Sequence, residues 1–216
     1  MKIELLRQIS FSELEERIRK VPLMKPDSNG NHIMIYENAN ITLKRFMAEQ
    51  VNPPTFYLLK KGLEIQRELR KLLMEQYGLN SLNLNGALEI QNEKGEIWTL
   101  TPPIIESTPR TVKYAPKEGE IKYDEDVKIN IPLINDGAHR VALAKELGLE
   151  FTGIFISGAK EGFPYYVHPN GWDRVREVDD VPKTKQEKKF YTREDCYALY
   201  RNFDVLGCGK PRHLGK

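Results

Sequence analysis

The sequence predicts an α/β chain of the α+β kind, on three observations. Residues 131–158, "IPLINDGAHRVALAKELGLEFTGIFISG", read as an apolar strand, a tight polar turn, a short helix and a second apolar strand. From about Thr55 to Tyr77, Ile65, Leu69, Leu72 and Leu73 recur at three- and four-residue steps, the period of a helix that buries one face. Ala87–Gln91 and Glu96–Leu100 flank Asn92-Glu93-Lys94-Gly95, a hairpin pattern in which Gly95 can take a positive φ.

In chain order, the stretch from Phe11 to Ile18 reads as a helix, with Ser10 or Ser12 as cap and acidic residues suited to the positive end of its dipole. Pro22 and the run from Pro26 to Asn31 force a loop. His32 to Tyr36 is a short strand pattern, and Thr42 to Gln50 a short helix stopped by Pro53-Pro54. The long helix ends at Gly78. Pro102-Pro103 weaken the start of the next strand, but Ile104-Ile105 can continue it at an edge. Lys113 to Glu125 is a polar excursion with Gly and Pro, after which Val127 to Ile134 returns as a strand. Glu161 to Val175 is an aromatic-rich loop, Phe190 to Phe203 a final helix, and residues 207–216 an irregular end.

The 216 residues fit one compact domain in three parts: a mostly helical region at 1–80 packing on the core, a core at 81–180, and a basic helix and tail at 181–216. Charged residues at 30% and hydrophobic ones at 40% are a globular balance, and a net charge of +2 does not mark a nucleic-acid binder. The charge is uneven: from Lys183 to Lys216, nine Lys and Arg stand against four Asp and Glu. That segment is either a solvated end or a contact for phosphates or nucleic acid. No apolar run is long enough to span a bilayer, and Met1-Lys2-Ile3-Glu4 does not open a secretory signal. The expectation is a cytoplasmic protein, without membrane contact, whose Cys196 and Cys208 are reduced thiols. No Cys or His pair has metal-finger spacing, so no protein-held metal is expected.

The turn Asn135-Asp136-Gly137-Ala138-His139-Arg140 carries the chemistry. A strand that feeds through a glycine into a helix presents unpaired backbone N–H groups and the positive end of the dipole at one point, which favours an anion. Gly137 allows close approach, Arg140 offers a charged fork matched to phosphate, and His139 can donate a hydrogen bond or move a proton. Asp136 could cap the helix, hold a metal or act as a base. The bland alternative is that Asp136 caps and Arg140 pairs with a carboxylate.

With Ala142, Ala144, Leu147 and Gly148 after it and Pro102-Pro103-Ile104-Ile105-Glu106 before it, the motif Asp136-Gly137-Ala138-His139-Arg140 resembles the core of the ParB/sulfiredoxin-like superfamily over residues 100 to 158. The resemblance implies a small mixed sheet with helices on its faces and nucleotide phosphates held at the turn. Sulfiredoxins carry a cysteine where this chain has Ala138, so their chemistry is not expected. Partition ParB proteins bind CTP and continue into a helix-turn-helix DNA reader, a pattern not evident after residue 158. The Asp-Gly-x-His-Arg form is closest to the free-serine kinases of the superfamily, which use a nearby carboxylate as base.

The function expected from this resemblance is nucleotide binding (ATP, ADP or CTP, with Mg²⁺ able to bridge the phosphates) and kinase-like transfer to a small hydroxyl-bearing substrate. Alternatives are a non-enzymatic, nucleotide-regulated module that binds nucleic acid or a partner protein, and a ParB-like nuclease. Asp136 to Arg140 would hold the phosphates. Glu106, at the end of the strand beside the motif, is the first candidate base, against the reading of an ordinary strand-end carboxylate; Asp136 and His139 complete the catalytic set. Tyr166, His168 and Trp172 could wall a substrate pocket or simply pack, and Lys210 and Arg212 could close a basic flap over phosphates or belong to a disordered tail.

Overall fold

The computed structural model describes residues 2–113 and 126–208. Its elements are β1 (Ile3–Ser10), α1 (Phe11–Arg19), β2 (Asn40–Phe46), β3 (Tyr57–Leu59), α2 (Lys60–Tyr77), β4 (Gly86–Asn92), β5 (Ile97–Leu100), β6 (Ile104–Lys113), β7 (Asp126–Asp136), α3 (Ala138–Leu147), β8 (Phe151–Ser157), β9 (Arg176–Val178) and the one-turn α4 (Lys185–Lys188), with short 3₁₀ turns between them. The fold is α+β with mixed sheets, as the sequence predicts.

The central sheet has the order β2-β8-β6-β7. β8 and β6 run parallel, while β2 on one side and β7 on the other run antiparallel to their neighbours. Period-2 alternation sends each strand's side chains to two different cores. Ile104, Ile154 and Ile156 join Leu14, Ile18, Ile35 and Tyr36 on the α1 face. Ile105, Phe151 and Phe155 join Phe46, Val141 and Ala144 on the α3 face. A second sheet, β1-β4-β5, is antiparallel and packs Leu88, Ile90 and Leu100 against Leu69 and Leu73 of α2. The short parallel pair β3-β9 precedes α2.

Several expectations change. Thr42 to Gln50 is not a helix: most of it is strand β2, whose Ile41 and Phe46 are buried and which pairs in full register with β8, so a neighbouring strand overrides the local propensity. Residues 1–80 therefore carry three strands besides two helices, and β1 and β2 belong to the two main sheets. The long helix begins at Lys60, because Tyr57–Leu59 are drawn into the pairing with β9. In place of a strand, His32 to Tyr36 makes a single bridge, Met34 to Pro22. Phe190 to Phe203 forms no regular helix. It is extended and 3₁₀ backbone, bridged at Tyr191 to Val167 and at Arg201 to Leu23, and its Tyr197 is exposed. Most of the Lys113–Glu125 excursion lies outside the described residues. No helix among them is long and apolar enough to cross a membrane.

Ile154 stands at the middle of the central sheet, opposite both Leu43 and Ile104, and is fully buried. Ile154→Ala is expected to lower unfolding stability by about 2–5 kcal/mol. The same truncation at Ile97, which is 53% exposed, should cost under about 0.5 kcal/mol. Urea denaturation of the two variants reads the difference.

Candidate functional site

β7 ends at Asp136 and α3 begins at Ala138, so Gly137 alone makes the corner, at φ 85°. Glycine is required there twice over. The left-handed backbone disfavours a side chain, and a Cβ would stand 2.9 Å from Pro103 Cα and 3.0 Å from Arg140 Nη2. Arg140 N and Val141 N both turn back to Gly137 O, at 2.9 and 3.1 Å. α3 has no side-chain cap, and the amides of Ala138 and His139 have no main-chain acceptor among the described residues. Two N–H donors therefore remain open at the positive end of the helix.

Arg140 is folded under this corner. Only 5% of it is exposed; Nη2 donates to Asp136 Oδ2 at 3.2 Å, and Nη1 is buried with no partner among the described residues. Burial pulls its pKa down, and the Asp136 carboxylate opposes that pull. A buried guanidinium with an unsatisfied fork is costly unless something anionic completes it. Beside it lies Cys208, whose thiol burial and Asp136 push up to about 12, keeping it protonated within 3.7 Å of Thr101 Oγ1.

The corner opens on a cleft of about 690 Å³. α2 contributes Gly62, Ile65, Gln66 and Leu69 to its lining, and the β4-β5 hairpin contributes Asn92, Trp98 and Leu100. Residues 134–140 close one end. Gln66 Oε1, Asn135 Oδ1 and Arg140 Nη1 are buried polar atoms of this lining that lack a partner among the described residues.

Glu106 is not placed as an open base. Its side chain is 2% exposed and that of Arg201 1%. Arg201 Nε and Nη2 donate to its two oxygens at 3.0 and 2.8 Å, while Tyr36 Oη and Asn135 Nδ2 donate to Oε2 at 2.5 and 2.9 Å. Arg201 also donates to Phe163 O, Pro164 O and Leu199 O, so all five of its N–H bonds are used. The carboxylate is a buried ion-pair partner with no face left for a substrate hydroxyl. Burial, then the Glu106 charge, raises the Tyr36 phenol well above its ordinary value. Asn135 ties this cluster to the turn, for its Nδ2 also donates to Tyr36 Oη at 2.8 Å, which fixes which way the amide points.

His139 faces α2 rather than the open end of the turn. Its Nε2 accepts the Leu59 N–H at 3.2 Å, which satisfies an amide at the start of that helix, and its ring fills the space left by Gly62, where a Cβ would come within 2.5 Å. Burial lowers its pKa, with Asp136 opposing and Arg140 assisting. Only the neutral ring can accept the Leu59 bond, so His139 positions α2 against α3.

The aromatic candidates lie elsewhere. Tyr166 is buried in a cluster with Tyr165, Tyr191 and Tyr200 and takes a hydrogen bond from Lys189. His168 packs on Phe190 at 4.6 Å between ring centroids. Trp172 donates to Ala48 O and Val51 O, closing the loop after β2. None of the three lines the cleft at the turn. Lys210 and Arg212 lie outside the described residues. Among those described, no group of three or more His, Cys, Asp and Glu converges to hold a metal ion. Sequence reasoning gave no site role to Gln66, Trp98, Tyr36 and Arg201, and named Asn135 only as a member of the turn. Asn135 was detectable, standing one residue before the motif; Arg201 was not, since 95 residues separate it from Glu106.

A family model described as the ParB CE domain matches residues 13–176, well over half of the chain, and the chain belongs to that family. No curated protein and no solved structure matches it.

Two consequences can be measured. Glu106→Gln leaves Arg201 buried without its counter-charge and should cost about 3–5 kcal/mol of unfolding free energy, with part of the loss recovered in the double variant Glu106→Gln/Arg201→Met. For His139, the folded pKa lies below the unfolded value near 6.5. Its contribution is present in full above that value and drains away as pH falls toward the folded pKa. Melting temperatures between pH 7.5 and 5 should fall, and His139→Gln should flatten that fall.

Proposed function

From membership of the ParB CE domain family and the geometry of its turn, we propose that the protein binds a nucleotide through its phosphates at Asp136–Arg140. The observation that carries the reading is Arg140: a nearly inaccessible guanidinium, half of whose fork lacks a partner among the described residues, under a helix start with two amides open among them. Phosphate oxygens are the complement of both. Gly137 supports the same reading, since any side chain there would fill the space between Pro103 and the guanidinium. The cleft is large enough for a nucleotide and lies within the range of small-molecule sites.

A second reading, phosphoryl transfer from ATP or ADP to a small hydroxyl-bearing acceptor, is favoured by Asp136. Its side chain is 40% exposed, and among the described residues it is the one carboxylate lining the cleft. In that reaction the acceptor oxygen would form the new P–O bond, its proton would pass to Asp136, and the bond to the departing nucleotide would break. Mg²⁺ bound with the nucleotide would neutralise phosphate charge, with Asp136 the residue able to approach it. With Glu106 enclosed by Arg201, Asp136 inherits the role of base. The regulated-module alternative needs only the binding half of this chemistry.

Thermal unfolding with ATP, ADP, CTP and Mg²⁺ tests the reading. A nucleotide at a hundredfold its dissociation constant adds about 2.7 kcal/mol, roughly 5–10 °C for a chain of this size. Arg140→Ala should abolish the shift; no shift with any nucleotide would overturn the proposal. Transfer to hydroxy amino acids, lost in Asp136→Asn while the thermal shift persists, would select the second reading.

A further inference from the structure

The cleft has two chemically different ends, and phosphates account for only one. Gly62, Ile65, Gln66 and Leu69 are spaced i, i+3, i+4 and i+7 on α2 and so present one helix face to the cleft. Ile65 and Leu69 make that face apolar, and Gln66 sets a single amide in it, with Oε1 buried and unpartnered. Trp98 of β5, half-buried, lines the same cleft beside Leu100 and packs on the core cluster that includes Leu69, so its indole adjoins the α2 face. The strand carrying Trp98 is held to the charged end: Thr99 donates to Gly207 O at 2.9 Å and pairs with Cys208, the residue beside Arg140. An apolar slot with one aromatic face and one buried amide, joined to an anion site, complements a flat heterocycle joined to phosphate.

We infer that the slot between Trp98 and the Ile65–Leu69 face of α2 is the seat of a nucleobase. The base stacks on the indole, and Gln66 Oε1 accepts one of its N–H groups. A glutamine amide carries an acceptor and two donors, and each base edge offers a complement. Gln66 and Trp98 are thus the residues that distinguish a nucleotide from any other phosphate ester. The inference rests on the nucleotide reading of the turn and adds to it the residues that receive the base and the orientation in which the ligand lies.

Calorimetric titration of the full chain with ADP, ribose 5-phosphate and inorganic triphosphate separates the two ideas. AMP, titrated beside them, should bind at least about fivefold more tightly than ribose 5-phosphate, which carries the same single phosphate and sugar without the base. Gln66→Ala should weaken ADP about tenfold, the loss of one buried hydrogen bond, and leave inorganic triphosphate unchanged. Trp98→Leu should do the same, and circular dichroism shows that each variant is folded; because Gln66→Ala places the best helix former in α2, it keeps the test valid should Trp98→Leu unfold. If inorganic triphosphate binds and depends on Arg140 but ADP gains nothing over it, or Gln66→Ala leaves ADP affinity unchanged, the base seat is refuted and the phosphate site stands. If neither ADP nor triphosphate binds, the phosphate reading fails and the base seat falls with it.

Discussion

The buried pair between Glu106 and Arg201 is the constraint on which the arrangement around it depends. A carboxylate and a guanidinium, each almost wholly removed from water, are tolerated only when geometry and hydrogen bonding offset desolvation. Here the offset draws in four separate parts of the chain. β6 supplies Glu106, the segment before β2 supplies Tyr36, β7 supplies Asn135, and the C-terminal segment supplies Arg201. Arg201 also gathers the carbonyls of the aromatic loop at Phe163 and Pro164. The family match stops at residue 176, so the cationic half of this clamp comes from outside the matched stretch.

That clamp reaches the turn through one side chain. Asn135 gives both amide hydrogens to the cluster, to Glu106 and to Tyr36, and its carbonyl oxygen is left without a protein partner in the lining of the cleft. Asp136, the next residue, leans on Arg140. Two adjacent residues of β7 thus face different partners, as the period of a strand requires: one is fixed by the interior cluster and the other orients the guanidinium below the helix start. On the far side, His139 braces α3 against α2 at Gly62. The motif residues thus divide between the open helix start and the packing of α3 on α2.

How much of this was legible depends on the range of the interactions. The strand–turn–helix–strand at 131–158, the β4-β5 hairpin and most of α2 are visible because hydrophobic period and glycine placement act over a few residues. The failures at Thr42–Gln50, His32–Tyr36 and Phe190–Phe203 share a cause: partners far along the chain decide their conformation. β2 is a strand because β8 lies beside it, and the tyrosines of the last segment are spent on a cluster with Tyr165 and Tyr166 rather than on a helix face. The same holds at the site. The turn announced itself in five consecutive residues, whereas Glu106 looked available because its counter-ion sits in a segment that no local pattern connects to it. A carboxylate at a strand end cannot be judged free or paired without the fold.

Two buried arginines allow structure and function to be told apart by the same rule. Arg201 has five N–H donors and five acceptors, two on Glu106 and three on main-chain carbonyls. Nothing about it is unfinished, and its burial is explained by what it joins. Arg140 is as deeply placed, yet its one ion-pair partner is the partly exposed Asp136, and Nη1 has none among the described residues. Burial lowers the pKa of Arg140; for Arg201 burial pulls the same way, but the charge and hydrogen bonds of Glu106 together with Tyr36 and Tyr165 raise it above its ordinary value. The deficit at Arg140 sits where the amides of Ala138 and His139 are also open, at the closed end of a cleft. These open donors are what the proposed phosphate reading of the turn would use, and the Glu106 cluster lies next to them through Asn135.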